Sequence, residues 1–181
     1  IGPNSAAGTP DKHFDTLLYT GNGVAGHAIR GLKFQPDLVF TRKRGGTNPS
    51  EPYIWDSVRG AGRHLYTYGN PTASEGYDTD RLTSFDPGGF TLGSHVDMNR
   101  ADHEVCAWCW KAGNETTINN EGSVQSVTSV NSDAGFSIFT FSTGPSSAPA
   151  PYVTEFVGHG LSQTPEMIWY KRRDGAQHWT L

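Results

Sequence analysis

Residues 31–46 read GLKFQPDLVFTRKRGG, and residues 158–175 read GHGLSQTPEMIWYKRRDG. At an offset of 129 Gly31 falls on Gly160, Pro36 on Pro165 and Arg44 on Arg173 with no gap. Between those anchors Asp37/Glu166, Leu38/Met167, Val39/Ile168 and Phe40/Trp169 are conservative pairs. The spacing predicts one structural unit used twice. The second copy reaches Leu181 soon after its second or third strand, so the expectation is one whole unit and the beginning of another. Arrays of this kind suggest reach and multivalency more readily than a solitary active site.

The composition sets the fold class. With 22 Gly, 11 Pro and 12% aromatic residues against 18% charged, turn formers and aromatics dominate, which favours many short strands in an all-β protein. At 181 residues the chain is long enough to bury a core. No segment of ten or more residues keeps a 3.6-residue period free of Gly and Pro, so helices are expected to be short or absent. No apolar run approaches the roughly 18 residues of a membrane span, and IGPNSAAGTPDKH at residues 1–13 lacks a signal-peptide core. A chain opening on Ile1 reads as processed or as a fragment. The net charge of −4 disfavours nucleic acid, whose phosphates call for a basic field.

Along the chain, residues 1–13 read as a leader or linker. Strands are expected at Phe14–Thr20, His27–Phe34, Asp37–Arg44, Pro52–Val58 and Arg63–Tyr68, followed by a polar surface loop over residues 69–80. Leu82–Phe85 and Gly89–Gly93 flank Asp86-Pro87-Gly88-Gly89, a hairpin signal because tight turns need residues that tolerate positive φ. The same device returns in VTSVNSDAGFSIFTF at residues 127–141. The aromatic strand HEVCAWCWKAG at residues 103–113 ends the first unit. The expected organisation is therefore a leader at 1–13, a β-sandwich unit at 14–113, a junction at 114–122 and an incomplete second unit at 123–181. GPSSAPAP at residues 144–151 reads as an enlarged loop inside that unit.

Once these blocks are set in order, the chain resembles the repeated β domain of tail fibres and other virion proteins of tailed phages, especially marine and cyanophage types. The resemblance rests on Tyr19-Thr20-Gly21-Asn22-Gly23, Phe34-Gln35-Pro36-Asp37-Leu38-Val39, Asp56-Ser57-Val58-Arg59-Gly60-Ala61, Leu82 to Gly93 and Ala107 to Gly113. It covers about Phe14 to Gly113 and resumes at Gly135-Phe136 and Gly158 to Leu161. It implies an antiparallel β-sandwich of jelly-roll, concanavalin-A-like or SPRY-like type in a virion appendage, and the favoured expectation is a non-enzymatic component without a cofactor. The implied partners are other virion proteins, copies of the chain itself or a host cell-surface glycan, without nucleic acid or membrane insertion. The alternative is a secreted carbohydrate-binding module or glycan hydrolase. The chain departs from the family pattern at Cys106 and over Arg63-His64-Leu65-Tyr66.

Hydrolysis of a glycan needs two carboxylates across a cleft, one raised in pKa to act as the acid. Asp56, Glu75, Asp78, Asp80, Asp97 and Glu104 are available, but the one-strand string E-x-D-x-x-E and the nucleophile string G-x-S-x-G are both absent. Asp97, Asn99 and Asp102 offer hard oxygens for calcium, flanked by His95 and His103. The EF-hand order is not met, and polar turn chemistry accounts for the cluster without a metal. Cys106 and Cys109 stand three apart, which on a strand points them to opposite faces, and no second ligand pair completes a zinc site. They read as two free, mostly buried thiols.

The basic runs Arg42-Lys43-Arg44 and Lys171-Arg172-Arg173 suggest a repeated structural job, either ending a strand against edge pairing or contacting a neighbouring unit. Trp108, Trp110 and Phe141 read as core residues. The ligand surface falls on Arg63, Tyr66, Tyr68, Tyr77 and Asp78, where an exposed ring stacks on a sugar beside hydrogen-bonding neighbours. Asn114-Glu115-Thr116 fits a glycosylation sequon and reads as linker.

Overall fold

Val39 and Thr41 alternate with Leu38 and Phe40 on strand β3 (Leu38–Lys43), and the first pair is fully buried. The alternation turns one face of the strand to the core. In this computed structural model, which describes residues 9–45, 51–67, 74–143 and 154–181, β3 is an interior strand. On one side it pairs antiparallel with β4 (Tyr53–Asp56), Val39 opposite Trp55. On the other it pairs with β9 (Glu104–Trp110), Val39 opposite Cys109. The six-stranded sheet runs β1 (Phe14–Thr20), β9, β3, β4, β5 (Arg63–Tyr66) and β6 (Gly76–Tyr77). A second antiparallel sheet orders β2 (His27–Arg30), β8 (Gly89–Leu92) and β7 (Leu82–Asp86).

These two sheets share one core. Val39, Tyr53, Trp55, Ala107 and Cys109 from the larger sheet meet Ile29, Leu82, Phe90 and Leu92 from the smaller, with Leu32, Phe34 and Met98 between. The chain is thus all-β with open antiparallel sheets, an arrangement consistent with a β-sandwich. Met98 arrives on the single turn α1 (Val96–Asn99), which together with a 3₁₀ turn at Pro10–Lys12 makes up the helix among the described residues. Tyr19 donates its hydroxyl to the Met98 carbonyl at 3.0 Å, so the turn is fixed over the core.

The hairpins follow from their turn residues. Asp86 pairs with Gly89, leaving Pro87 and Gly88 as the central pair, and Gly88 takes φ +78°. Proline then glycine at those positions is what a type II turn asks for. The second hairpin joins β11 (Ser126–Asn131) to β12 (Phe136–Phe141), and β10 (Thr117–Asn119) pairs with β11 to complete a third sheet. β10 therefore occupies part of the stretch expected to be a bare junction.

Two expectations need correction. Trp108 and Trp110 are half-buried, not core, because β9 turns Val105, Ala107 and Cys109 inward and so directs Cys106, Trp108 and Trp110 outward. There Trp110 contacts Phe14 at 4.9 Å and stacks on Phe136 of β12, while Phe141 is half-buried against Tyr170. Arg42-Lys43-Arg44 does not guard an edge: Arg42 and Lys43 belong to an interior strand, and the Arg44 N–H continues the ladder to Glu104 at 2.9 Å. In the second copy, described residues 159–181 carry no strand and hold one isolated bridge, Tyr170 with Thr180.

Candidate functional site

Several sequence blocks turn out to be polar joints. Asp37 is fully buried, accepting from the Ser57 hydroxyl at 2.6 Å and from the N–H groups of Ala112 at 2.7 Å and Asn114 at 3.1 Å. It ties the strand after Pro36 to the end of β9. Asn99, also buried, accepts from the Asn22 N–H, bonds His27 Nδ1, and donates to the carbonyls of Val24 and Gly93. Those bonds spend the amide on holding the residue 22–26 loop. Asp97 goes instead to Arg81 and Tyr53, and Asp102 sits exposed at φ +64°. The calcium cluster considered from sequence is thus dispersed, and no group of three His, Cys, Asp or Glu among the described residues is arranged for a metal.

At the far edge of the larger sheet, β5 and β6 bring together two of the five residues anticipated from sequence as a ligand surface, Arg63 and Tyr77. Arg63 lies opposite Tyr77, with its guanidinium 5.3 Å from the ring centre. Tyr77 is 67% exposed. Tyr66 faces inward, half-buried in a box with Tyr53 and His64 at 5.4 and 5.1 Å between ring centres. Asp78 is engaged by Arg81 at 3.1 Å and approached by His95 at 3.6 Å. Tyr68 lies outside the described residues.

Sequence reasoning missed the residue that organises this edge. Glu75, considered only as a catalytic acid, has its side chain 9% exposed and gathers three guanidinium groups. Arg173 grips it with Nε at 3.0 Å and Nη2 at 2.9 Å, Arg59 reaches it at 3.2 Å and Arg63 at 3.1 Å. Burial by itself would raise the Glu75 carboxyl, but Arg173 and Arg59 outweigh it and hold the group below the usual carboxylate range. Arg59 is itself buried, bonded to Asp56 at 2.5 Å and to the Ile54 carbonyl. The Glu75 N–H donates to the Arg173 carbonyl, and the Trp179 indole donates to the Tyr66 carbonyl at 2.8 Å.

Beside this clamp lies a second polar network. Arg81 donates to Asp97 at 2.7 Å and stacks over Tyr53 at 4.6 Å, while the Tyr53 hydroxyl donates to Asp97 at 2.9 Å. Burial pushes Tyr53 up to about 12. It would raise Asp78 and Asp97 as well, yet the Asp80 N–H and Arg81 lower the first and Tyr53 and Arg81 lower the second. A general acid for glycan hydrolysis needs the opposite shift.

His64 is enclosed between these networks. It is 2% exposed, and among the described residues neither ring nitrogen has a hydrogen-bond partner, nor does the Trp55 indole N–H beside it. Burial, assisted by the Arg81 charge, drives its pKa down to about 4. Gly76 lies against the ring so closely that a Cβ there would come within 2.4 Å of Nε2, which is why the facing residue of β6 has no side chain.

Residues 9–181 match a family model described as a domain of unknown function, DUF7483. The chain belongs to that family. The matched span takes in both the 14–113 stretch and the 123–181 stretch. No curated protein and no solved structure matches the chain.

Proposed function

We propose that this chain is a non-catalytic β module of a tailed-phage virion, a repeat in a tail fibre or surface appendage that spaces neighbouring modules or attaches to the host surface. The finer fold belongs to the same reading: a jelly-roll sandwich of concanavalin-A-like type, followed by a second similar unit. The module works outside the cell on the particle, against other virion proteins, further copies of itself or a host glycan. The observation that carries the reading is the Arg173–Glu75 clamp. It joins the second copy of the repeated segment to the first unit through a two-pronged charged contact at 3.0 and 2.9 Å. A joint of that kind, bidentate on a carboxylate whose side chain is 9% exposed, suits modules kept in fixed relation. Weak binding at each module would then be multiplied across a particle.

The ordered blocks from Tyr19 to Gly113 support the same reading. The paired carboxylates weigh against the competing glycan hydrolase, because Glu75, Asp78 and Asp97 are all held ionised. Mass spectrometry of purified particles, with immunogold labelling of the intact virion, tests the assignment. The chain is expected in many copies per particle at an appendage. Recovery only from particle-free host lysate would overturn the proposal, and glycan cleavage lost on Asp56→Asn would favour the hydrolase.

A further inference from the structure

The cluster around Glu75, at the β5–β6 edge, carries more positive than negative charge. Around Glu75 stand Arg59, Arg63 and Arg173, and the carboxylates they contact are Glu75 and Asp56. Arg59 is sealed in, but the Arg63 and Arg173 side chains are 45% and 39% exposed. Among the described residues Arg63 donates one hydrogen bond, from Nη1 to Glu75, and Arg173 donates from Nε and Nη2 to the same carboxylate. A guanidinium has five N–H groups, so both retain donors beyond those that Glu75 takes. Tyr77 adds an exposed ring beside them, one face taken by Arg63.

We infer that this edge binds an acidic saccharide, with Arg63 and Arg173 receiving the carboxylate or sulfate and Tyr77 receiving the apolar face of the sugar ring. The inference rests on the surface-attachment reading above and names its ligand class. Planar guanidinium forks match the geometry of carboxylate and sulfate oxygens, and aromatic rings present a flat apolar surface with a polar tip. The site is composite, because Arg63 and Tyr77 come from the first unit whereas Arg173 comes from the second copy of the repeat. An acidic peptide would satisfy the two guanidinium groups but leave Tyr77 without a partner, so the saccharide is the better fit.

Titration calorimetry on the intact chain at low ionic strength tests this with four probes: hexagalacturonate, a sulfated galactan hexamer, a neutral galactan hexamer and hexaglutamate. At least one acidic hexamer is expected to bind at least about ten-fold tighter than the neutral one and tighter than hexaglutamate, and the two acidic arms tell carboxylate from sulfate. Arg63→Ala and Tyr77→Ala should each weaken that binding about ten-fold without moving the melting temperature, as both side chains are exposed. Arg63→Lys should recover only part of the loss, since it keeps the charge but not the fork. Equal binding of acidic and neutral hexamers, a preference for hexaglutamate, indifference to both alanine variants, or no binding at all would each overturn the inference. A chain found in particles that binds none of the four would defeat this assignment while leaving the virion reading intact, and the converse result would do the reverse.

Discussion

Acidification from pH 7 to pH 5 should destabilise the fold through His64, and the size of the effect can be worked out. The ring is enclosed by Tyr53, Trp55, Tyr66 and the Gly76 backbone, with Arg81 and Arg59 as the nearest cationic influences. Its pKa falls from 6.5 to about 4. The sign follows from proton counting: between those values the unfolded chain binds a proton that the folded chain refuses. The contribution is therefore full above the unfolded value and is lost as pH falls from 6.5 toward 4. At 1.36 kcal/mol per pKa unit the total loss is about 3 kcal/mol, of which about 2 kcal/mol falls between pH 7 and pH 5. That window lies above the range in which ordinary carboxylates titrate. Urea unfolding of the wild type and of His64→Leu at both pH values isolates the term, because leucine removes the titrating ring without crowding Gly76. The wild type should lose about 2 kcal/mol more than the variant over this interval. Parallel losses in both proteins would refute the idea that His64 is buried neutral.

Other consequences are open to direct measurement. Asp37→Ala should cost at least about 3 kcal/mol in urea unfolding, because it strands the buried Ala112 N–H and frees Ser57 and Asn114 together. Glu75→Gln should cost about 1 kcal/mol while accelerating hydrogen exchange at the Tyr170 and Thr180 amides, since the Arg173 clamp holds that segment to the start of β6. Thiol labelling at pH 8 should modify Cys106 slowly and Cys109 only after unfolding, because burial raises both thiols and pushes Cys109 up to about 12.

The hairpins were legible because their cause is local. Pro87-Gly88 and the Ser132–Gly135 stretch announce turns whatever surrounds them, and the strands beside them follow from alternation. The opposite faces of Cys106 and Cys109 were legible for the same reason, yet the inward reading of Trp108 and Trp110 failed on it. A strand shows its period in sequence but not which face meets a partner sheet, and on β9 the small residues Ala107 and Cys109 face the crowded interior beside Trp55 and Phe90. The Glu75 hub was not legible at all. Its partners are 16, 12 and 98 residues away, and nothing in their local patterns marks them as neighbours. His64 was hidden similarly: its box is assembled from adjacent strands β4 and β5 and closed by a glycine on β6.

The two copies of the repeated segment separate propensity from context. Val39 and Ile168 are both β-branched and follow a proline at the same distance, so their intrinsic preference for strand is nearly equal. Val39 is fully buried because β4 and β9 supply a hydrogen-bonded neighbour on each side, whereas Ile168 is 47% exposed and lies outside any strand. Pairing, not composition, makes the strand. The same contrast reaches the basic residues. Arg44, anchored at the end of an interior strand, turns its charge toward Glu104 at 3.9 Å within its own sheet. Arg173, on a segment without that ladder, extends to Glu75 beside β6 and brings its charge to the edge where Arg63 and Tyr77 already stand. A duplicated sequence thus yields a structural strand end in one copy and half of a composite surface in the other, and the difference comes from the neighbours that each copy finds.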